Sequence, residues 1–384
     1  MTQALIYIGG VVSGVVVQWA VGAVGKGLAV RARKSRAGRA VLRLRAKRGA
    51  AVEALSERDG STIGTVHFPW VVAAFGPFAR EHINSTYLAV EPNYPPEVEA
   101  ASDRLAAELR QKAMAGEEVP SDSDGFKLVR FHVSSRTRER DEAFLHLHFA
   151  PTTYYRAIAT EFRLDEPLDG VSGPTLRQCF GADADLRTEP ISACATHWGV
   201  GLAVITKDRR FVFSRRASRM TEDGGSLYPA VAEGGLRAKD ALEDGAPDHF
   251  SIAARGMREE LGLELARSEL IWLSFGANAT RGAYGLLGRV ESPFTFDELT
   301  RHHRFSRDNW EASELIAVDF EPEAISDFLQ DAHTVPSFTL AVTTHALIHE
   351  YGLRRCDRAF RGCSIRASEW KSNIPAPALR EIDT

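Results

Sequence analysis

An α/β fold is predicted by three observations in the second half of the chain. Thr196 to Ser218 alternates apolar and polar residues on either side of Lys207-Asp208-Arg209, the pattern of a β-hairpin. Asp248 to Leu265 spaces Phe250, Ala254, Met257 and Leu261 along one face of a helix, with Asp248 as N-cap and Gly262 as C-terminal stop. Beyond it, Leu270 to Phe275 and Ala283 to Val290 read as strands. A hairpin, a helix and further strands in succession call for a sheet covered by helices.

The head of the chain differs in kind. Ala4 to Gly25 is an uncharged run of twenty-two residues, long enough as a helix to cross a hydrocarbon core of about 30 Å, and is read as a transmembrane helix. A buried core helix is disfavoured by its glycines, and a cleaved signal peptide by the absence of positive charge before it. Gly10 and Gly14 form a G-x-x-x-G face that supports self-association, hence a homo-oligomer. Of the 47 Lys and Arg, ten fall between Lys26 and Arg48, and the first fifty residues carry none of the 51 acids. The positive-inside rule then puts the N-terminus outside and the rest in the cytoplasm, at the cell membrane. The same cluster suits anionic lipid head groups; lacking interleaved aromatics, it gives no reason to expect nucleic acid.

Between these parts, Thr65 to Ala74 is strand-like, and Pro95 and Pro96 open an amphipathic helix running to Ala115. Phe126 to Ser134 and Ala143 to Phe149 alternate as two strands, and Pro151 to Arg156 turns into a helix through Glu161. His132, His146 and His148 project from those strands with no cysteine nearby, so no zinc site is expected. Cys179, Cys194, Cys356 and Cys363 show no C-x-x-C pairing and are expected as reduced thiols. The helix Ser337 to Tyr351 packs on the sheet, and the last thirty residues are basic and irregular.

The chemistry concentrates in the helix after Asp248. Its helical spacing turns Arg255, Glu259 and Glu260 away from the apolar face, and adjacent carboxylates suit Mg2+ or Mn2+, which prefer oxygen ligands. Arg255-Gly-Met-Arg-Glu-Glu-Leu-Gly-Leu263 resembles the second half of the Nudix box, G-x5-E-x7-R-E-U-x-E-E-x-G-U, where U is a bulky aliphatic. One box glutamate is replaced by Gly256. The upstream half also departs: Pro247 stands eight residues before Arg255, and Gly235 twenty before it where the family spacing is fourteen. An inserted charged loop, Arg237 to Pro247, stretches the box.

The resemblance implies a Nudix-type α/β/α sandwich with an α+β N-terminal extension and the N-terminal transmembrane helix. The boundaries run 1–26 for the anchor, 27–58 for a basic juxtamembrane segment, 59–192 for an N-terminal domain or extension, 193–355 for the Nudix-like domain and 356–384 for a tail. It implies metal-dependent cleavage of a phosphoanhydride in a nucleoside diphosphate linked to X. Glu259 and Glu260 would bind the metal, and Arg255 would hold the carboxylates in place. Glu233, Gly234 and Gly235 map to the glycine-rich entry, and Gly234 and Gly235 are counted as substrate-binding. Glu311 and Glu314 are candidates for a further metal-binding carboxylate. Arg215 and Arg216 either meet substrate phosphates or stand as solvated strand-end charge. Gly256 leaves two readings open: another acid among Glu233, Glu243, Asp244, Glu311 and Glu314 takes over, or the domain is a nucleotide-binding sensor or scaffold without turnover.

Overall fold

The computed structural model describes residues 59–117, 119–135, 143–181, 184–218, 224–332 and 334–368. The expectation of a transmembrane helix is corrected here. Among the described residues no helix is long and apolar enough to cross a membrane, and Ala4 to Gly25 lies outside them. The fold class is stated as a mixed α/β protein of several sheets, and the lack of a spanning helix among the described residues stands against the expected single-pass placement at the cell membrane.

In chain order the strands and helices are β1 (Ser61–Ile63), β2 (Val66–Phe68), β3 (Trp70–Phe78), β4 (Ile83–Tyr87), α1 (Pro96–Met114), β5 (Asp124–Ser135), β6 (Ala143–Thr153), α2 (Tyr154–Thr160), β7 (Gly199–Ile205), β8 (Arg210–Arg216), β9 (Leu227–Pro229), β10 (Val231–Gly234), α3 (Arg237–Asp240), α4 (His249–Leu261), β11 (Leu270–Asn278), β12 (Tyr284–Glu291), α5 (Phe296–His303), β13 (Ala312–Asp319), α6 (Pro322–Ala332), β14 (Thr334–Pro336), α7 (Ser337–Tyr351), α8 (Leu353–Ala359) and β15 (Arg366–Ser368). The segment expected to be irregular after residue 355 thus contains most of α8 and all of β15.

The principal sheet has eight strands, with the path β13-β8-β7-β12-β11-β3; β7 and β12 run parallel and the other neighbours antiparallel. β3 comes from the segment read as an N-terminal extension, so that segment supplies an edge of this sheet. Alternation along the strands sorts side chains onto two faces. Val200, Leu202, Val204 and Val212 face the core that contains Ile252, Ala253, Met257 and Leu261 of α4. Ala203, Ile205, Phe211 and Phe213 face the core that contains Leu340, Val342, Ala346 and Leu347 of α7. α7 is apolar almost all round because it is buried almost all round.

A smaller sheet, β4-β6-β5, leans its apolar face on the α4 side, where Phe149 meets Trp198 at 5.0 Å between ring centres. Backbone bonds join it to the segment entering β7, with Trp198 N donating to Phe126 O at 2.9 Å and Leu128 N to Thr196 O at 3.0 Å.

One irregularity of the principal sheet positions the site. β7 and β8 pair only at Val204–Val212 and Ile205–Phe211, then splay apart. The gap is filled by the next segment of chain, in which β9 pairs with β8 and β10 with β7. α4 packs over β10 at that point, so the end of the helix faces the opening between separated strands.

Candidate active site

α4 begins at Asp248, whose side chain accepts from Phe250 N at 3.1 Å, and ends at Gly262 in the left-handed region at φ +69°. Arg255 lies on this helix one turn before the glutamates. Its helical spacing from Phe250, Ala254 and Met257 suggested an outward position, yet its side chain is only 7% exposed. The helix lies between the core and the β10–α3 segment, so the side away from the core is covered as well.

The guanidinium has five N–H groups and five acceptors. Asp240 takes two, from Nε at 3.1 Å and from Nη2 at 2.7 Å; Gly234 O takes one from Nη2 at 2.6 Å. Nη1 lies 2.8 Å from Glu233 Oε1 and 3.2 Å from Glu259 Oε2. Arg255 is therefore a hub that orders three carboxylates, with no donor left over for a ligand. Asp240 comes from the charged loop, which forms the short helix α3 and closes through a bridge between Ala241 and Pro247. Leu236 N donates to Asp240 Oδ2 at 2.7 Å. Sequence reasoning passed over Asp240; its one signal was an acid inside an insertion beside the box.

Gly256 has a steric cause. A Cβ built there would stand 2.7 Å from Val231 Cγ1 and 3.0 Å from Glu233 Cβ, both on β10. The helix and the strand are too close for any side chain at this position, and the stem of Glu233 fills the space. A carboxylate thus reaches Arg255 from the neighbouring strand, beside the position where the helix lacks one.

Glu259 and Glu260 have opposite surroundings. Glu259 Oε1 accepts from Lys239 Nζ at 3.1 Å and from Arg307 Nη1 at 2.9 Å, while Oε2 meets Arg255. Burial pushes its carboxyl upward, but Lys239 and Arg255 outweigh burial and hold it below the usual carboxylate range. Glu260 instead accepts from Ala232 N at 3.1 Å and lines a recess with Ser214, Arg216, Ala230, His303, Asp308 and Glu311, at the splay of β7 and β8. Burial raises Glu260 well above the usual range, and the neighbouring Glu233 and Glu311 raise it further. Burial likewise lifts Glu233 to about 7, against the pull of Arg255.

Arg216 is 4.0 Å from Glu311, within the recess, and its guanidinium lies over the Tyr228 ring at 4.8 Å. Arg215 and Glu314 pair with each other at 2.8 Å on the exposed side of the sheet, away from those lining residues. Gly234 offers its carbonyl to Arg255, and Gly235 is wedged between Phe126 and Ile252. The recess thus combines Glu260, Glu311 and Arg216 from the expected set, and adds His303 and Asp308.

The chain after α5 is strapped to the end of α4. Asp308 N donates to Glu259 O at 2.8 Å, Ser306 Oγ to Glu260 O at 2.9 Å, and His303 Nδ1 lies 2.6 Å from Glu260 O. These bonds satisfy carbonyls that a helix end leaves without partners. Among the described residues no three His, Cys, Asp or Glu side chains are already drawn together as a metal cage.

No family model matches the chain, and no curated protein matches it. Solved structures with partial likeness include a Deinococcus radiodurans protein, with 14% identity over 35% of this chain and 73% of that one, at a TM-score of 0.26. A MutT protein from Methanosarcina mazei Go1 has 12% identity over 40% of this chain and 95% of its own, also at 0.26. A MutT Nudix hydrolase from Burkholderia pseudomallei has 21% identity over 32% of this chain and 83% of its own, at 0.23. Two of these three are described as MutT proteins, and each likeness covers less than half of this chain.

Proposed function

We propose that this chain is a Nudix-like hydrolase that cleaves a phosphoanhydride in a nucleoside diphosphate linked to a further group, with Glu233 standing in for the carboxylate that the box lacks at Gly256. The observation that carries this reading is the packing of α4 on β10: a side chain at 256 is excluded by the residue whose carboxylate occupies the adjoining space.

Charge balance assigns the roles. Glu259 is saturated by Lys239, Arg255 and Arg307, so it holds the helix end in position. Glu233 and Glu311 both raise the pKa of Glu260, and Glu311 raises that of Glu233; the negative charge and hard oxygen donors of the three fit a divalent cation such as Mg2+ or Mn2+. When bound, that ion would neutralise phosphate charge and make a water more acidic. Glu260 and Glu311, which both line the recess, would hold it. Glu233, which adjoins Arg255 and lies near enough to Glu260 to raise its pKa, would be the base that takes a proton from the attacking water. Arg216 would meet a phosphate oxygen, and Arg255 acts only through the carboxylates it orders.

The test uses the full-length chain with Mg2+ or Mn2+ and a panel of nucleoside diphosphate compounds, beside Glu233→Gln and Glu260→Gln, with products separated by chromatography. Metal-dependent turnover that both variants lose supports the reading. Thermal stabilisation by one of these compounds without any product would instead establish the second reading, a nucleotide-binding sensor, which the saturation of Glu259 by three cations favours.

A further inference from the structure

A second opening, about 450 Å3 in volume, adjoins the α4 terminus at Gly262 and is lined further by Phe294, Glu298, Arg301, His302 and Phe305. That volume is in the range of small-molecule sites. One wall is a ring pair, Phe294 and His302, with centres 4.6 Å apart. Facing the opening is Phe305, whose side chain is left in water at 91% exposure.

Single exposed apolar residues are ordinary. Phe305 differs because the backbone around it is fixed. His303 and Ser306 hold Glu260 O, Asp308 N holds Glu259 O, and Phe305 N itself donates to His302 O at 3.0 Å. The straps that bind this segment to the glutamates therefore also present a bare ring from a backbone held in place. Arg301 lines the opening with it, and Arg304 and Arg307 are exposed neighbours in the chain, Arg307 being paired with Glu259. The one acid of the lining, Glu298, is occupied in capping α5, accepting from Thr295 N at 2.8 Å and Thr295 Oγ1 at 2.9 Å. An aromatic slot with a cationic rim matches a planar base that carries phosphate charge.

We infer that this slot is the base subsite for a nucleoside diphosphate, stacked on Phe305, with its phosphates directed across the α4 terminus toward the carboxylate recess. The inference rests on the functional reading above for the direction of the phosphates, but base binding is testable without turnover.

The probes are α,β-methylene-ADP, which resists hydrolysis, and methylenediphosphonate, which has the same phosphonate chain and no base. Both are titrated calorimetrically into the full-length chain with Mg2+, into Phe305→Ala and into Phe305→Trp. Removing one stacking ring is expected to weaken the nucleotide by about tenfold and leave methylenediphosphonate unchanged, and Phe305→Trp is expected to restore the nucleotide. The inference is overturned if Phe305→Ala binds the nucleotide as tightly as the parent, or if the parent does not prefer it to methylenediphosphonate. Base-dependent binding by a chain that turns over none of the compounds would keep the subsite and remove the hydrolase reading. Turnover with no effect of Phe305→Ala on binding would do the opposite.

Discussion

Glu233 Cβ stands 3.0 Å from where a Cβ of residue 256 would be, and its carboxylate lies 2.8 Å from Arg255 Nη1. The strand thus brings an acid to the arginine beside a helix position that has no side chain. Space explains the bare position: with Val231 Cγ1 at 2.7 Å as well, α4 approaches β10 closely enough to require glycine.

Gly256→Ala follows as a first prediction. Alanine in a helix interior is ordinarily favoured over glycine by about 1 kcal/mol. Here the added methyl would push on a buried valine and on the Glu233 stem, and overpacking of this kind costs about 1–3 kcal/mol. The net expectation is a loss of stability of about 1 kcal/mol, read as a lower urea midpoint, with Gly256→Glu worse still. A higher midpoint for Gly256→Ala would show that the helix and strand are not in close contact.

Arg255→Met is predicted to destabilise strongly. It would leave Asp240, 1% exposed at its side chain, with a buried charge whose two guanidinium bonds are gone. Breaking a buried pair from one side costs about 3–5 kcal/mol. Arg255→Met combined with Asp240→Leu removes both partners and is expected to recover much of the loss. Equal stability of the single variant and the parent in denaturant titrations would show that the hub is dispensable.

Much of this hub could not be read from the sequence. The hairpin and α4 were legible because each buries one side at its own period, so Val200, Leu202 and Val204 and the residues of α4 declare their partners in advance. The helix wheel set Arg255 and the glutamates at the correct angle, but it does not say that β10 and α3 cover that angle. Asp240 was hidden for the same reason, since a four-residue helical turn has no periodicity to show. That position 256 carries no acid was visible, whereas the nearness of Glu233 on the neighbouring strand is a matter of packing. Sheet order is equally tertiary: nothing in Trp70–Phe78 announces that it pairs with a strand two hundred residues later.

The carboxylates are predicted to fall into two classes. Glu260 is costly to ionise without a cation, and glutamine in its place can still accept from Ala232 N. Glu260→Gln should therefore stabilise the metal-free protein at pH 8 while lowering turnover by about a hundredfold or more. Glu314→Gln, whose carboxylate pairs with exposed Arg215, should leave both within a few-fold of the parent. Denaturation in EDTA and rates in Mg2+ measure the two quantities separately; a Glu260→Gln protein that is less stable than the parent would contradict the account of its charge.

The last prediction concerns acid. His345 packs against Phe75 and lies 2.7 Å from Ser274 Oγ, and burial lowers its pKa to about 3; burial likewise lowers His249 to about 4. In the unfolded chain each returns to about 6.5. The unfolded state then binds more protons than the folded one between those limits. Stability contributed by the neutral imidazoles is complete above pH 6.5 and is lost as pH falls, by at most about 1.4 kcal/mol per pH unit for each histidine. Glu233 and Glu260 act in the other direction, since their raised pKa values favour the folded state as they become protonated. The histidine contribution is therefore isolated by comparing slopes, with urea unfolding of the parent and His345→Gln in EDTA at pH 7, 6 and 5. The variant is expected to be less stable at pH 7, from lost packing, and to lose less stability on acidification. Parallel slopes would mean that His345 is already charged in the folded core, which its apolar surroundings oppose.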